Sequence, residues 1–412
     1  MLRNGSFSAQ GSVVVGVNMA SVASQAKLVL DNATLDAVVS ATHFFIGSGT
    51  ALAGSQQTAP SLVLLNGSLL KVDTLQNNIA NQNNYGRSIL AATNSTLYCS
   101  FSYNMADTST PRCPAFVRMR DSNLWIGSTG GISMNGSFDA VFDNCVIERT
   151  TAAGVPAGRS KFFIKTYNTS FPTGTVAFVN GTVARLGSFD NFGPSYTGSG
   201  ISLVWNGAQW DYGDGDYTFE SFDNPKITFE MEGDGVILAP ADDTTFTARQ
   251  AFTGTGGMVK RGAGTVAFDA GAYAFSGVCA VEEGTVDLSS AGRLAGASFA
   301  GAGTVSGASL ESPRIVLESD DDWSGFDVPT FENCTVSGRA CFDFGRTAES
   351  PLSAKRPAAP MVVARFTGSA PDVSSWRISG TGLGRMRGRF QVDGSGQVLL
   401  SVEESGFSLV VR

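Results

Sequence analysis

The segment at residues 254–268 reads GTGGMVKRGAGTVAF, and related sequence returns as EEGTVDL at 282–288 and GAGTV at 301–305. The unit Gly-Thr-Val therefore recurs at intervals of 20 and 19 residues, beginning at Gly264, Gly284 and Gly303. A fixed period near twenty residues is typical of a solenoid, in which each coil buries its apolar face only against its neighbours. Apolar residues alternate with others in each unit, which indicates β-strands.

The composition favours a β-structure with many tight turns. Apolar residues make up 42% of the 412 residues, so a substantial core is expected. Only 16% are charged, against roughly 25% in ordinary soluble domains, and there are 49 glycines. The net charge is −8, and basic residues cluster only at Arg385, Arg387 and Arg389. Nucleic-acid binding is not expected, because it requires a basic surface.

A second pattern covers residues 10–210, where a short apolar strand runs into an asparagine and a further strand follows. The asparagines at these positions are Asn32, Asn66, Asn94, Asn144, Asn180 and Asn206. Asparagine and glycine accept positive φ at little cost, so each predicts a turn between two strands. Two strands per coil with an asparagine turn between them predict a right-handed parallel β-helix, in which stacked asparagines form side-chain ladders. Residues 76–84 and 151–160 are interpreted as protruding loops.

Three regions are expected along the chain. Residues 1–250 are predicted to form the β-helix with Asn-rich turns, and 251–312 the regular Gly-Thr-Val coils. Residues 313–412 are predicted to form further β-rich coils or a cap, because an open last coil would expose unpaired strand edges. Residues 345–360 contain three prolines and are interpreted as a linker before the last strands.

The segment 254–288 resembles the autotransporter-associated β-strand repeat, also called the passenger-associated transport repeat. That repeat places paired glycines, a lysine, a Gly-x-Gly-Thr-apolar unit, a tyrosine and a closing Gly-Thr-apolar unit in a fixed order. The matching residues are Gly254, Gly256, Gly257, Lys260, Gly262, Gly264, Thr265, Val266, Phe268, Tyr273, Gly277, Gly284, Thr285, Val286 and Leu288. The resemblance implies a secreted bacterial β-helix at or beyond the outer membrane, in which the repeat aids secretion and folding.

The ends of the chain differ from those of an autotransporter. About 100 residues follow the repeat, which is too few for the usual membrane β-barrel. In this respect the chain is similar to barrel-less members of the repeat family. The first residues, MLRNGSFSAQ, contain no apolar signal segment, so we expect a fragment or a mispredicted start. No apolar run is long enough to span a membrane. The expected location is extracellular or at the bacterial cell surface.

Four carboxylates form the candidate catalytic site. They are Asp211, Asp214, Asp216 and Glu220, which lie among Trp205, Trp210, Tyr212 and Tyr217. Carboxylates beside aromatic rings are typical of a sugar-binding or glycosidase cleft. Closely spaced aspartates with glycine also suit calcium, although the EF-hand spacing is absent. We favour a solvated turn whose aromatic edges pack on the solenoid, and we predict no metal and no cofactor.

The remaining residues that could take part in a reaction or bind a metal are interpreted as structural. His43 is the only histidine and has no neighbouring glycine, so we favour a structural role over a general base. Asp320, Asp321 and Asp322 are interpreted as a solvated loop. Of six cysteines, Cys145 and Cys279 lie in apolar strand patterns and are predicted to be small buried residues. Two close pairs would suit short loops in an oxidising compartment: Cys99 with Cys113, and Cys334 with Cys341.

Three functional hypotheses follow. The first is a non-enzymatic, secreted or surface-displayed stalk or adhesin-like scaffold, with host or environmental glycans or matrix as partners. The second is a carbohydrate-active β-helix enzyme, a lyase or glycoside hydrolase, that uses the carboxylates between Asp211 and Glu220. The third is a tailspike-like trimer that binds glycans. The oligomeric state is left open.

Overall fold

A computed structural model describes most of the chain. The described residues are 1–17, 26–38, 43–49, 61–80, 88–108, 115–127, 131–135, 137–151, 153–165, 173–192, 200–222, 226–317, 326–344, 357, 359–380 and 386–404. Within them the protein is all-β and contains no helix, so no described helix is available to cross a membrane.

Forty-three strands are described. In chain order they are β1 (Leu2–Arg3), β2 (Ser6–Ser8), β3 (Val13–Val17), β4 (Lys27–Asp31), β5 (Thr34–Ala37), β6 (His43–Gly49), β7 (Ser61–Leu65), β8 (Leu69–Ala80), β9 (Ser88–Thr93), β10 (Thr96–Thr108), β11 (Ala115–Arg120), β12 (Asn123–Ile126), β13 (Ile132–Asn135), β14 (Ser137–Asp143), β15 (Val146–Thr150), β16 (Pro156–Gly158), β17 (Ser160–Lys165), β18 (Thr173–Val179), β19 (Val183–Phe192), β20 (Ile201–Asn206), β21 (Ala208–Asp211) and β22 (Tyr217–Phe219). The later strands are β23 (Ile227–Met231), β24 (Val236–Leu238), β25 (Thr245–Ala248), β26 (Phe252–Gly254), β27 (Met258–Lys260), β28 (Thr265–Phe268), β29 (Tyr273–Phe275), β30 (Val278–Val281), β31 (Thr285–Asp287), β32 (Arg293–Ala295), β33 (Ser298–Ala300), β34 (Thr304–Ser306), β35 (Ser309–Glu311), β36 (Arg314–Val316), β37 (Thr330–Glu332), β38 (Thr335–Ser337), β39 (Cys341–Asp343), β40 (Met361–Thr367), β41 (Arg377–Ser379), β42 (Met386–Val392) and β43 (Gln397–Glu404).

The chain divides into two compact units. The first contains residues 1–213 and 221–230, and the second contains 214–220 and 231–412. Both are built from strands that pair in parallel with the equivalent strand one coil later, which is the pairing of a parallel β-helix. The predicted fold class is therefore confirmed.

Several coils of the first unit contain three strands instead of the two predicted, whereas the coils β7–β8, β9–β10 and β18–β19 contain two. Strand β11 pairs with β14, β12 with β15, and β13 with β17, all in parallel, so β11, β12 and β13 form one turn of the helix. The corner between β12 and β13 has no asparagine. It forms at Gly127, where a Cβ atom would lie 2.4 Å from Tyr98 Oη and 2.9 Å from Ser100 O. Because this corner is set by contact with the preceding coil, the asparagine pattern did not indicate it.

The asparagine turns lie where β1, β4, β7, β9, β11, β14 and β18 end. Each has one residue with positive φ between 46° and 57°: Asn4, Asn32, Asn66, Asn94, Asp121, Asn144 and Asn180. Side chains of these turns bond between coils, since Asn32 Nδ2 donates to Asn4 Oδ1 at 3.0 Å and Asn144 Nδ2 to Asp121 Oδ1 at 2.7 Å. The predicted side-chain ladder is therefore present at these two pairs of turns.

Two aspartates before the turns extend this ladder. Asn66 Nδ2 donates to Asp31 Oδ1 at 2.7 Å, and Asn180 Nδ2 donates to Asp143 Oδ1 at 2.9 Å. Each aspartate also forms an ion pair at 2.8 Å, Asp31 with Arg3 and Asp143 with Arg120. The asparagine amide and then the arginine hold the pKa of both carboxyl groups below the ordinary value.

Substituting Asn144 tests whether its backbone conformation or its side-chain hydrogen bond contributes more to the free energy of unfolding. We expect Asn144→Ala to lower the free energy of unfolding by about 1–2 kcal/mol, because alanine resists the left-handed conformation at φ 51°. We expect Asn144→Gly to cost less, since glycine accepts this φ and only the ladder bond is lost. Urea denaturation of both variants would measure this. An equal loss in both would contradict the conformational explanation.

The core of the first unit consists of in-register columns of apolar side chains. One column runs through Leu35, Leu70, Leu97, Leu124, Ile147, Ala184 and Trp210, each exposed by 5% or less. A second column stacks aromatic rings: Phe142 and Phe178 lie 5.7 Å apart, Phe178 and Trp205 4.5 Å, and Trp205 and Phe229 5.4 Å. Offset aromatic stacking of this kind stabilises the core beyond simple burial.

Coils of the second unit are shorter and more regular. Strands β25, β28, β31, β34 and β37 form part of one parallel sheet, in which the outward threonines are in register. The threonines are Thr245, Thr265, Thr285, Thr304 and Thr330. The sheet ends in antiparallel strands, because β43 pairs with both β40 and β42. The C-terminal region is therefore β-rich, and this sheet ends in a hairpin.

The two predicted loops are partly strands. Residues 76–80 belong to β8, which pairs with β6 and β10, and residues 81–84 lie outside the described part of the chain. In 151–160, strand β16 pairs antiparallel with β15. The reason is that polar residues such as Gln76 occupy the outward positions of strands, so polarity alone did not mark a loop. Of the proposed linker at 345–360, residues 345–356 and 358 lie outside the described residues, as do the aspartates at 320–322.

The described cysteines carry free thiols. Cys145 and Cys279 are buried, as predicted, and burial raises the pKa of their thiols to about 11 and about 12. Cys334 and Cys341 are not joined. Cys334 Sγ instead lies 3.3 Å from Val305 O, and Cys341 Sγ lies 2.9 Å from Ser379 Oγ. Cys99 is buried with a free thiol, and its proposed partner at position 113 is outside the described residues.

Candidate functional site

The repeat residues of the second unit meet in successive coils. Thr265 pairs with Thr285 and Thr285 with Thr304, so the three Gly-Thr-Val units occupy one position of the coil. Val266, Val286 and Val305 lie beneath them with no exposed surface. The interval of 20 and 19 residues is thus the length of one coil, as the sequence predicted.

Glycines of the repeat lie where the backbones of neighbouring coils approach most closely. A Cβ atom at Gly277 would lie 2.2 Å from Gly256 O, and one at Gly264 would lie 2.1 Å from Ala241 O. A Cβ atom at Gly257 would lie 2.5 Å from Val278 O. Real Cβ atoms do not approach backbone atoms this closely. The spacing of the glycines therefore reflects stacking of one coil upon the next.

Lys260 is the unusual member of the repeat because its side chain is completely buried. Its ammonium group donates to three backbone carbonyls: Arg261 O at 3.1 Å, Gly262 O at 2.5 Å and Glu283 O at 2.9 Å. The first two acceptors belong to the turn after β27, and the third belongs to the equivalent turn of the next coil. Three N–H donors thus meet three acceptors, and the lysine joins two coils.

The turns around Lys260 need glycine. Gly262 and Gly284 have φ values of 74° and 68°, which glycine adopts readily. A Cβ atom at Gly284 would also lie 2.5 Å from Lys260 Nζ. Burial lowers the pKa of Lys260 to about 8, and the nearby Glu283 opposes that shift only in part.

This pKa predicts an unusual dependence of stability on pH. Below pH 8 the lysine is charged in both folded and unfolded chains, so the full cost of burying the charge is present. Between about pH 8 and the ordinary value of 10.5 the unfolded chain binds more protons, so stability should rise with pH, by about 3 kcal/mol in total. Urea denaturation across this range, with Lys260→Met as the non-titrating reference, would measure it. A constant difference between the two proteins would contradict the assignment.

A groove of about 480 Å³ lies on the outer surface beside Lys260. Its floor is the outward column of one sheet, where Val259 pairs with Ala280 and Ala280 with Ala300, and Val316 continues it on β36. These side chains are small. Together with glycine backbone they leave an open surface that crosses several coils.

Carboxylates surround this groove. Asp234, Glu282 and Asp327 all contribute to its lining. Glu282 forms an ion pair with Arg261, whose Nε lies 2.8 Å from Glu282 Oε2. Among the described residues no group of three or more His, Cys, Asp or Glu side chains is arranged to hold a metal ion. The groove suits hydrogen-bond acceptance from a ligand's hydroxyl or amino groups.

The four candidate carboxylates are divided between the two units. In the first unit, Asp211 forms ion pairs with Arg159 at 2.7 Å and with Arg185 at 3.4 Å. Trp205 and Trp210 are buried there, and Trp210 Nε1 donates to Leu186 O at 2.8 Å. These tryptophan rings are core components and do not form a surface platform for sugars.

In the second unit, Asp214 lies in an exposed turn, and Asp216 Oδ1 accepts a bond from the Thr245 backbone N–H at 2.8 Å. Glu220 forms an ion pair with Arg249 at 2.7 Å. Tyr217 stacks on Phe246 with ring centroids 5.6 Å apart. A bond to the next coil thus uses Asp216, and an ion pair uses Glu220. His43 lies elsewhere, on β6, with its ring stacked on Phe45 at 5.3 Å.

Sequence reasoning missed the groove. Its floor residues are small outward-facing positions on different coils, and only the register places them together. The alternation within β27, β30 and β33 was a usable signal, because it separates outward Val259, Ala280 and Ala300 from inward Met258 and Cys279.

The fold and these sites define a class of protein, a parallel β-helix. Its second unit has glycine-rich coils, two of which are joined by hydrogen bonds from Lys260. Comparison with protein-family models found no match for the chain, and comparison with curated proteins found no significant match either. The resemblance of residues 254–288 to the autotransporter-associated repeat therefore stays a prediction based on the motif itself.

Proposed function

We propose that this protein is a secreted or surface-displayed bacterial β-helix that acts as a stalk or adhesin-like scaffold. The assembly of the repeat residues carries this proposal. Glycines and Lys260 of the 254–288 segment stabilise the contact between one coil and the next. Such residues serve architecture, and a rigid array of coils is suited to present binding surfaces rather than to perform a reaction.

The groove beside Lys260 is the surface that we propose for contact with glycans or matrix. Ligand sites are concave, with a few polar groups that fix orientation. Here carboxylates at Asp234 and Asp327 border a floor of small side chains, and ionised carboxylates accept hydrogen bonds from sugar hydroxyls. Both aspartates are exposed enough to meet a ligand.

Surface display is tested by treating intact producing cells with protease and blotting for this protein. The expected result is loss of the protein from intact cells, or its presence in the medium, while a cytosolic marker stays intact. Degradation only after cell lysis would overturn the proposed location.

Ligand contact is tested on a broad glycan panel with two matched double variants. We expect binding without cleavage, weakened at least about tenfold by Asp234→Asn with Asp327→Asn, which is about 1.4 kcal/mol. Asp214→Asn with Asp216→Asn should bind as the parent does. Depolymerisation that this second variant abolishes would replace the scaffold with a carbohydrate-active enzyme.

A further inference from the structure

A β-hairpin interrupts one coil of the first unit between β15 and β17. Its second strand, β16, pairs antiparallel with β15 and with no other described strand, and all three of its residues are exposed. Backbone bonds close its turn, since the Gly154 N–H donates to Thr151 O at 2.9 Å and the Thr151 N–H donates to Val155 O at 2.8 Å. The hairpin, which is described except at residue 152, is therefore a compact unit outside the pairing of coil with coil.

The tip of this hairpin lies on Trp125. This residue faces outward from β12, between the buried Leu124 and Ile126. A Cβ atom at Gly154 would lie 2.8 Å from both Cη2 and Cζ3 of the indole ring. Glycine permits this close approach and also accepts the φ of 77° at this position. The hairpin thus covers an outward-facing aromatic ring.

Polar atoms that are buried without a hydrogen-bond partner lie next to the same hairpin. In the described part of the chain they include Trp125 Nε1, Arg149 Nε, Thr150 Oγ1 and Ser160 Oγ. Thr150 and Ser160 lie at the two ends of the hairpin and are only 0% and 1% exposed. Buried polar groups in proteins normally have a partner, because leaving them unpaired is costly. The hairpin therefore covers donors and acceptors that are available to a ligand.

We propose that the β15–β16 hairpin is a lid over a second glycan-binding site, in which a neutral sugar ring stacks on Trp125. The indole supplies a flat apolar face and one donor, Arg149 Nε supplies another donor, and the two hydroxyl groups both donate and accept. Sugar hydroxyls match this set because each also donates and accepts. The proposal rests on the proposed function only for the class of ligand, since this site lies in the first unit and the groove lies in the second.

The charges beside this site favour a neutral sugar over a charged one. Glu148 precedes Arg149 on β15 and forms an ion pair with Arg185. Asp211 forms an ion pair with Arg159 at 2.7 Å. A charged ligand would have to compete with these pairs, whereas a neutral one leaves them intact. Arg149 adds a positive charge, so an acidic sugar is the alternative that the experiment must include.

Opening of the lid breaks few contacts. Gly158 lies at the base of the hairpin with φ 112°, and a Cβ atom there would meet nothing within 4 Å. A glycine of this kind is suited to act as a hinge. Val155 at the turn is 58% exposed, as expected of a segment that buries little of its own surface. Because only the open form binds, the closed form lowers the apparent affinity.

Titration calorimetry of the full chain with maltohexaose, cellohexaose and mannohexaose tests the proposal. All measurements use the Asp234→Asn with Asp327→Asn background, so that the groove of the second unit contributes little. We expect binding of at least one of these neutral probes, weakened at least about tenfold by Trp125→Ala. The matched control is Phe101→Ala, at an aromatic residue on β10 that is 56% exposed. It should bind as the parent does.

A second pair of variants tests the lid. Gly154→Ala should tighten binding at least about threefold, because the added Cβ atom meets the indole ring and favours the open hairpin. Gly67→Ala is the matched control, since Gly67 has nearly the same φ, 78°, but no atom within 4 Å of an added Cβ atom. It should leave the affinity unchanged. The two variants therefore differ in the contact with Trp125 and not in backbone strain.

Several results would overturn the proposal. They are binding of none of the neutral probes, binding that Trp125→Ala leaves unchanged, no gain in affinity from Gly154→Ala, and preferential binding of hexagalacturonate, an acidic probe. Circular dichroism and thermal unfolding establish that Trp125→Ala is folded. Trp125→Phe, which keeps an aromatic ring but lacks the N–H donor, replaces it if it is not, with weakened binding again expected.

Discussion

Gly277→Ala is expected to destabilise the second unit by about 3 kcal/mol or more. The added Cβ atom would lie 2.2 Å from Gly256 O, 2.3 Å from Gly256 C and 2.5 Å from Gly257 N. These are backbone atoms of the neighbouring coil, so no side chain can rotate away. The coils would have to separate, which breaks the β27–β30 ladder. Chemical denaturation would measure the loss.

Gly394→Ala is the matched control for this effect. Gly394 lies in the turn of the C-terminal hairpin, and a Cβ atom there would meet nothing within 4 Å. Neither Gly277 nor Gly394 has the left-handed φ that favours glycine, so the two variants differ only in the space available. We expect a change within about 0.5 kcal/mol for the control. Similar losses in both variants would show that coil contact is not the reason for Gly277.

Lys260→Met is expected to lower the free energy of unfolding by about 2–4 kcal/mol at pH 7. Methionine fills a similar volume but donates no hydrogen bond, so three backbone carbonyls lose their bonds to the ammonium group. Each unsatisfied acceptor costs about 1–3 kcal/mol. The variant no longer buries a charge, and this offsets part of the loss in stability. The measurement is urea denaturation at fixed pH.

Lys27→Met supplies the control, because Lys27 has an exposed side chain on β4. It should leave the unfolding midpoint almost unchanged. A Lys260→Met protein as stable as its parent would mean that the three carbonyl contacts contribute no more than the cost of burying the charge, which contradicts the prediction. The difference between the parent and Lys260→Met should also widen above pH 8, as the lysine loses its charge in the folded chain.

The period of the repeat could be read from the sequence because it reflects a local requirement. Each Gly-Thr-Val unit needs a glycine at the coil contact and a valine in the core, and one coil supplies one unit. The asparagine turns were predictable for a similar reason, since positive φ is a property of a single residue. Asn32, Asn144 and Asn180 all lie in such turns.

The third strand of the three-stranded coils was not predictable in the same way. Its corner at Gly127 depends on Tyr98 and Ser100 of the preceding coil, so no residue type marks it alone. The aromatic residues near Asp211 were ambiguous because their burial depends on tertiary packing. Trp205 and Trp210 belong to columns whose other members lie one coil or more away in the chain.

The sequence alone determined the all-β solenoid, its coil length, its asparagine turns and the glycine-lysine motif, because these depend on local conformation and on a regular period. Only the tertiary structure decided what the motif does. Lys260 meets the carbonyl of Glu283 because one turn of helix stacks upon the next, and stacking likewise creates the groove. These features arise from contacts between residues twenty or more positions apart, which no local pattern records.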